Sequence, residues 1–107
     1  MSASEIAEVF AQLPRLYKLG KKAEIRRVFY FSLGEDEKWT VTLDPDQCRV
    51  QPGKAAEADC VVKTSPQMFL NVWNGRHTPS PMDFLTGAIQ SNDPMMLKEF
   101  AAAFGKS

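Results

Sequence analysis

The side chains able to do chemistry are few, and their spacing assigns most of them structural duties. His77 is the only histidine. It lies in Asn74-Gly75-Arg76-His77-Thr78-Pro79, a loop by composition, where a solvated imidazole is expected. Cys48 and Cys60 are the two cysteines, and they lack CxxC spacing. One histidine and two distant cysteines do not make a tetrahedral zinc site. Ser65 and Ser80 each precede a proline, which marks them as helix N-caps. No GxSxG elbow presents a serine nucleophile. Asp83 follows Ser80 at the position of a capping-box acid. No catalytic residue, metal ligand or cofactor site is therefore expected, and the chain does not read as an enzyme.

Thirteen basic residues balance thirteen acidic ones. That balance excludes nucleic acid as the main partner, because affinity there comes from phosphate neutralisation. The charge is uneven all the same. Arg15, Lys18, Lys21, Lys22, Arg26 and Arg27 fall in one stretch, and Glu35, Asp36 and Glu37 form an acidic tip. The basic stretch is by default a solvated face; its sharper reading is transient contact with an anionic membrane surface. Met1 to Glu8 has neither the basic start nor the apolar core of a signal peptide. No apolar run is long enough to span a bilayer, and two cysteines build no disulfide framework. A cytoplasmic location is the expectation. Nothing in the pattern selects an oligomeric state.

The elements that position these residues follow from hydrophobic period. The length of 107 residues fits one domain, residues 1–107. Ser2 or Ser4 caps a first helix, whose apolar face is Ile6, Val9, Phe10 and Leu13. Pro14 ends or kinks it, Leu16 and Tyr17 prolong the apolar face, and Gly20 is a stop. A strand over Ile25 to Leu33 puts Ile25, Phe29, Phe31 and Leu33 on one face. Trp39, Val41 and Leu43 alternate with Lys38, Thr40 and Thr42 on a second strand. Asp44-Pro45-Asp46 turns the chain into a third, with Cys48 and Val50 on one face. Pro52-Gly53 turns again, and Ala58, Cys60 and Val62 form one face of a fourth. These four make an antiparallel meander or include one crossover. Three helices then begin at Ser65-Pro66, Ser80-Pro81 and Asp93-Pro94, with a brief strand around Ala88 to Ser91. The late helices concentrate Met68, Met82, Met95 and Met96 beside Phe69, Trp73, Phe84, Phe100 and Phe104. Composition alone reads this surplus as core.

Read together, Trp39-Thr40-Val41-Thr42-Leu43-Asp44-Pro45, Cys48-Arg49-Val50, Gly53 and Ala58-Asp59-Cys60-Val61-Val62 resemble the middle of the sterol carrier protein 2 family, the non-specific lipid-transfer proteins. Ser65 with Phe69, then Gly75, Phe84-Leu85-Thr86-Gly87-Ala88-Ile89 and Asp93 continue the pattern in order. The resemblance covers nearly the whole chain and rests on order and spacing. Ser91 departs from it, with a hydroxyl where the family carries an apolar side chain.

The resemblance implies an α+β fold: a five-stranded, mostly antiparallel sheet with helices packed on one face, enclosing an apolar tunnel. It implies binding, and transfer, of a sterol, fatty acid, acyl-CoA or other lipid, without catalysis. The rival reading is an accessory or scaffold subunit that presents a hydrophobic intermediate, such as a quinone precursor, to a partner enzyme. The methionine and aromatic surplus then becomes ligand lining. Phe29, Phe31, Trp39 and Val41 would line the ligand from the sheet. Met68, Phe69, Val72, Trp73, Met82, Phe84, Leu85, Met96 and Phe100 would line it from the helices, with the last helix as a lid. The family's strand order also separates Cys48 from Cys60 beyond disulfide reach.

Overall fold

A computed structural model describes the backbone of residues 2–35 and 37–105 and the side chains from residue 5 onward within those ranges. The capping side chains expected of Ser2 and Ser4, and Asp36 of the acidic tip, lie outside the described residues. Helix α1 (Ser2–Tyr17) is followed by strands β1 (Arg27–Leu33), β2 (Glu37–Leu43), β3 (Cys48–Pro52) and β4 (Cys60–Thr64). Helices α2 (Pro66–Trp73) and α3 (Pro81–Thr86), strand β5 (Ile89–Ser91) and helix α4 (Pro94–Ala103) complete the order.

The sheet runs β3-β2-β1-β4-β5. β1, β2 and β3 form an antiparallel meander. The chain then crosses over, so that β4 lies parallel to β1 on its other side, and β5 pairs antiparallel with β4. The crossover is thus the alternative that occurs, and the sheet is mixed and mostly antiparallel. Register sets the faces. Phe31 opposes both Trp39 and Val62, and Phe29 opposes both Val41 and Cys60. The period-two apolar sets of three strands therefore share one side of the sheet. Cys48 on β3 and Cys60 on β4 are two intervening strands apart, and both are free thiols.

α1 supplies the main cover for that apolar side. Ile6, Val9, Phe10, Leu13 and Tyr17 recur at helical spacing and are all buried. Pro14 does not end the helix, which runs on to Tyr17. The proline removes one backbone donor, and the continuing apolar row at Leu13 and Tyr17 holds the last turn on the sheet. Phe10 is the hub of an aromatic chain. It stacks on Trp39 at 4.9 Å and on Phe69 at 5.4 Å, and meets Phe31 edge-on at 5.6 Å. Phe31 continues to Phe100, which touches Phe29 and Phe104. Phe104 closes the chain against Tyr17 and Trp73. Trp39 is half-buried on the helix side, with its indole N–H on Glu37 at 2.8 Å. Its expected face is the one observed.

The three proline-led helix starts form as their capping signals require. The Ser65 side chain accepts the Met68 N–H at 3.0 Å, and Asp93 accepts that of Met96 at 3.1 Å. Asp83 accepts the Ser80 N–H at 2.9 Å. One expectation fails at the start of the sheet. Ile25 is not on the apolar face of β1: the strand begins at Arg27, and Ile25 is 55% exposed. Parity was right, but the chain there is still rounding the end of α1. Ala58 likewise precedes β4.

Replacing Phe10 with alanine removes three ring partners at once. Urea unfolding of Phe10→Ala should show a loss of about 3–5 kcal/mol. A loss below about 1 kcal/mol would mean that α1 is not the principal cover of the sheet.

Candidate functional site

Recesses open on the described surface at opposite ends of β1. The first, of about 510 Å³, is bordered by Ser32, Gly34, Lys63, Thr64, Ser65, Met68, Gly87, Ala88 and Gln90. Hydroxyl, amide and ammonium groups share its walls with Met68, Ala88 and the glycines, and it reaches no residue of the aromatic chain. The second, of about 350 Å³, is also mixed in lining but borders the aromatic interior. Its floor is Phe29 and Leu43 from the sheet with Ala102 and Ala103 from α4, and its rim is Lys21, Lys22, Glu24, Ile25, Arg27 and Glu99. Phe29 is 1% exposed and belongs to the buried cluster. Here alone do residues of the aromatic interior border an opening, among the recesses described. Its volume lies within the range of small-molecule sites.

The rim is held by a specific set of contacts. Tyr17, at the end of α1, is fully buried. Its hydroxyl donates to the Asp44 carbonyl at 2.6 Å and accepts the Ala23 N–H at 2.8 Å. Burial pushes the phenol pKa up, so the group stays neutral. Lys21 donates its backbone N–H to the Ala102 carbonyl at 3.3 Å. Gly20 lies so close to Ala103 that a Cβ there would strike the Ala103 carbonyl. Glycine is needed at this position for close approach of two backbones. Across the mouth, Arg27 Nε faces Glu99 Oε2 at 4.0 Å, a solvated and weak pair.

The expected lining residues divide into three groups. Phe29, Phe31, Val41, Phe69, Trp73 and Phe100 are buried together between sheet and helices, with Trp39 and Met96 packed against them. Met68, Val72 and Phe84 are half-buried. Met82 and Leu85 are at the surface, 62% and 80% exposed, on a helix with no buried residue. Of the whole set, Phe29 borders the second recess and Met68 the first. Leu43, Ala102, Ala103 and Arg27 were not among the expected lining residues. Arg27 carried a signal: it shares the parity of Phe29, Phe31 and Leu33, so a cation sits on the apolar face of β1. The run Ala101-Ala102-Ala103 carried another, since small side chains leave room.

The remaining polar groups are tied into structure. Burial and the Asp44 charge push the Cys48 thiol pKa up to about 12, and burial raises that of Cys60. Neither thiol is a ready nucleophile. The Ser91 hydroxyl lies 3.5 Å from Cys60 Sγ and accepts the Asp93 N–H at 3.2 Å. His77 is not a free loop imidazole: its Nε2 is 2.7 Å from Asp83 Oδ2. That places the ring on the capping acid of α3. Among the described residues no group of three or more His, Cys, Asp or Glu could hold a metal ion. None of the helices there is long and apolar enough to cross a membrane.

The fold is that of a small α+β domain with a mixed, mostly antiparallel five-stranded sheet. Residues 7–97 match the SCP-2 sterol transfer family, and the chain belongs to that family. No curated protein matches it. Among solved structures, a sterol carrier protein 2 like 2 from Aedes aegypti is similar, with TM-score 0.59 and 18% identity over 94% of each chain. The ubiquinone synthesis protein UbiJ-SCP2 is similar at TM-score 0.57 and 13% identity, over 88% of this chain and 74% of that one. A stereoselective inverting sec-alkylsulfatase from Pseudomonas sp. is similar at TM-score 0.60 and 17% identity. There the match covers 90% of this chain but 14% of the other, so this chain corresponds to a small part of that enzyme.

The Asp83 carboxyl makes a pH prediction. The hydrogen bond from His77 and that of the Ser80 N–H hold its pKa below the usual value. The stabilising contribution is therefore full above the ordinary carboxylate range and lost as pH falls through the depressed value. His77→Ala should raise the Asp83 pKa towards normal in a carboxyl NMR titration. An unchanged titration would show that His77 does not act on the cap.

Proposed function

We propose that this protein binds the apolar chain of a lipid or similar amphiphile through the recess between β1 and the end of α4, and carries it without transforming it. The observation that supports this reading is the recess itself: a buried aromatic and aliphatic floor under a rim of three cations and two carboxylates. An apolar chain laid on Phe29, Leu43, Ala102 and Ala103 gains roughly 25 cal/mol for each Å² removed from water. Lys21 and Lys22 at the rim suit a ligand with an anionic end, while Arg27 faces Glu99. Family membership points the same way. Deeper entry runs towards Phe100 and Phe31, the lining expected from the sequence, and requires α4 to shift as a lid.

A second reading has one observation in its favour. The fold likeness to a ubiquinone synthesis protein fits a subunit that presents a hydrophobic intermediate to a partner enzyme. The two are separated by partner dependence: a carrier moves lipid between vesicles unaided.

The recess is tested by filling it. Ala102→Trp should keep the native circular dichroism spectrum and weaken binding of a fluorescent fatty acid at least tenfold, about 1.4 kcal/mol. The proposal fails if folded Ala102→Trp binds as the parent does, or if the parent shows no saturable binding to any lipid class.

A further inference from the structure

A row of hydrogen-bond donors crosses the sheet on the face turned away from the aromatic interior. Lys38 on β2 pairs in register with Ser32 on β1, Ser32 with Lys63 on β4, and Lys63 with Gln90 on β5. These four have the opposite parity to Phe31 and Val62, which face the interior. Further along the same face Tyr30 and Thr40 are buried, and the Thr40 hydroxyl donates to the carbonyl of Gly53, in the β3–β4 crossover, at 2.8 Å. At the C-terminal ends of β1 and β4 the face is open, and Ser32, Lys63 and Gln90 border the recess of about 510 Å³. β1 and β4 run parallel, and the carboxyl ends of parallel strands are where open sheets hold ligands.

The row is short of acceptors. Lys38 Nζ donates to Ser32 Oγ at 2.8 Å and to the Gly34 carbonyl at 2.6 Å. An ammonium on the hydroxyl oxygen polarises the Ser32 O–H and leaves its hydrogen to be given elsewhere. On the other side of Ser32 stands Lys63, whose ammonium group can only donate. Among the described residues the Lys63 and Gln90 side chains have no hydrogen-bond or ion-pair partner. The other hydroxyls of the recess are engaged: Thr64 donates to the Ala88 carbonyl at 2.7 Å, and Ser65 accepts the Met68 N–H at 3.0 Å. The row holds two cations and no carboxylate. Of the described acids in the turn after β1, Glu37 accepts the Trp39 indole N–H on the helix side, and Glu35 is exposed at the turn. Gly34 and Gly87 border the opening without side chains, and Met68 and Ala88 add apolar wall.

We propose that this recess binds a small, soluble phosphate monoester, with Ser32, Lys63 and Gln90 donating to the phosphoryl oxygens. A phosphate monoester presents three strong acceptor oxygens and close to two negative charges at neutral pH. That matches three donors and two ammonium groups better than a carboxylate, which brings two oxygens and one charge. The volume leaves space for an organic group against Met68 and Ala88. The site shares no lining residue with the recess proposed for apolar ligands, at the other end of β1, and does not rest on that reading.

An NMR titration of the intact, isotopically labelled chain with glycerol 3-phosphate tests it, with glycerol and acetate as controls. Saturable shifts over a millimolar range should centre on Ser32, Lys63, Gly87 and Gln90. Glycerol should produce none, and acetate should bind more weakly than the phosphate monoester. Lys63→Gln and Ser32→Ala, each checked for a native circular dichroism spectrum, should weaken binding roughly tenfold, the loss of one hydrogen bond to a charged group. Lys63→Arg keeps the cation and should retain most of the affinity. Neither Ser32 nor Lys63 borders the second recess, so palmitate binding should be unchanged in all three variants. The absence of saturable shifts overturns the proposal, as does acetate binding as tight as that of glycerol 3-phosphate. So does a folded Lys63→Gln that binds as the parent does, or a response centred on the basic stretch from Lys18 to Arg27. Loss of this site leaves the carrier reading standing, and failure of palmitate to bind leaves this site standing.

Discussion

One tyrosine hydroxyl fixes the geometry on which the site depends. Tyr17 ends α1, lies fully buried, and bonds the Asp44 carbonyl and the Ala23 N–H at once. Its ring leans on Phe104 at 5.7 Å. A single side chain therefore joins α1, the turn between β2 and β3, the segment entering β1, and the residue that ends α4. The polar tip is satisfied on both sides, so its burial costs little. Without this junction the chain from Lys18 to Arg26 would have no defined path. The rim residues Lys21, Lys22 and Arg27 would then have no defined position over Phe29 and Leu43.

The interior has a different character from its mouth. Between sheet and helices the rings of Phe10, Phe31, Phe69, Phe100 and Phe104 touch in sequence. Each such pair is worth about 0.5–1.5 kcal/mol beyond its burial. The end of α4 meets the rim through one backbone hydrogen bond at 3.3 Å, the close approach of Gly20 to Ala103 and the solvated Arg27–Glu99 pair. Opening at this end would break those links and the ring contacts of Phe100 and Phe104 as well. Among the described residues no buried side-chain nitrogen or oxygen lacks a partner. An interior of that kind suits an apolar occupant.

Much of this was legible in the sequence, for local reasons. Strands with strict alternation, such as Trp39 to Leu43, declare their face without help from the rest of the fold. The Ser-Pro and Asp-Pro starts declare three helices through capping chemistry that is local by nature. Ile25 was misplaced because parity does not reveal where a strand begins; that is set by the Tyr17 junction, which spans 27 residues to Asp44. Met82 and Leu85 show the complementary limit. α3 is six residues long and displays Met82 and Leu85 outward, and no periodicity within six residues can reveal that. The recess was missed because it is built from what is small, Ala102 and Ala103, and from Arg27, a cation read as surface charge. An apolar pattern marks what is filled, whereas an opening depends on side chains from distant segments failing to fill it.

The central claim is that apolar ligands enter beside β1 and the end of α4. An NMR titration of isotopically labelled protein with palmitate tests it most directly. The account predicts saturable shifts that begin at Phe29, Leu43, Ala102 and Ala103 and spread to Phe100. Saturable shifts confined to Ser32, Lys63, Met68 and Gln90, at the opposite end of β1, would contradict it.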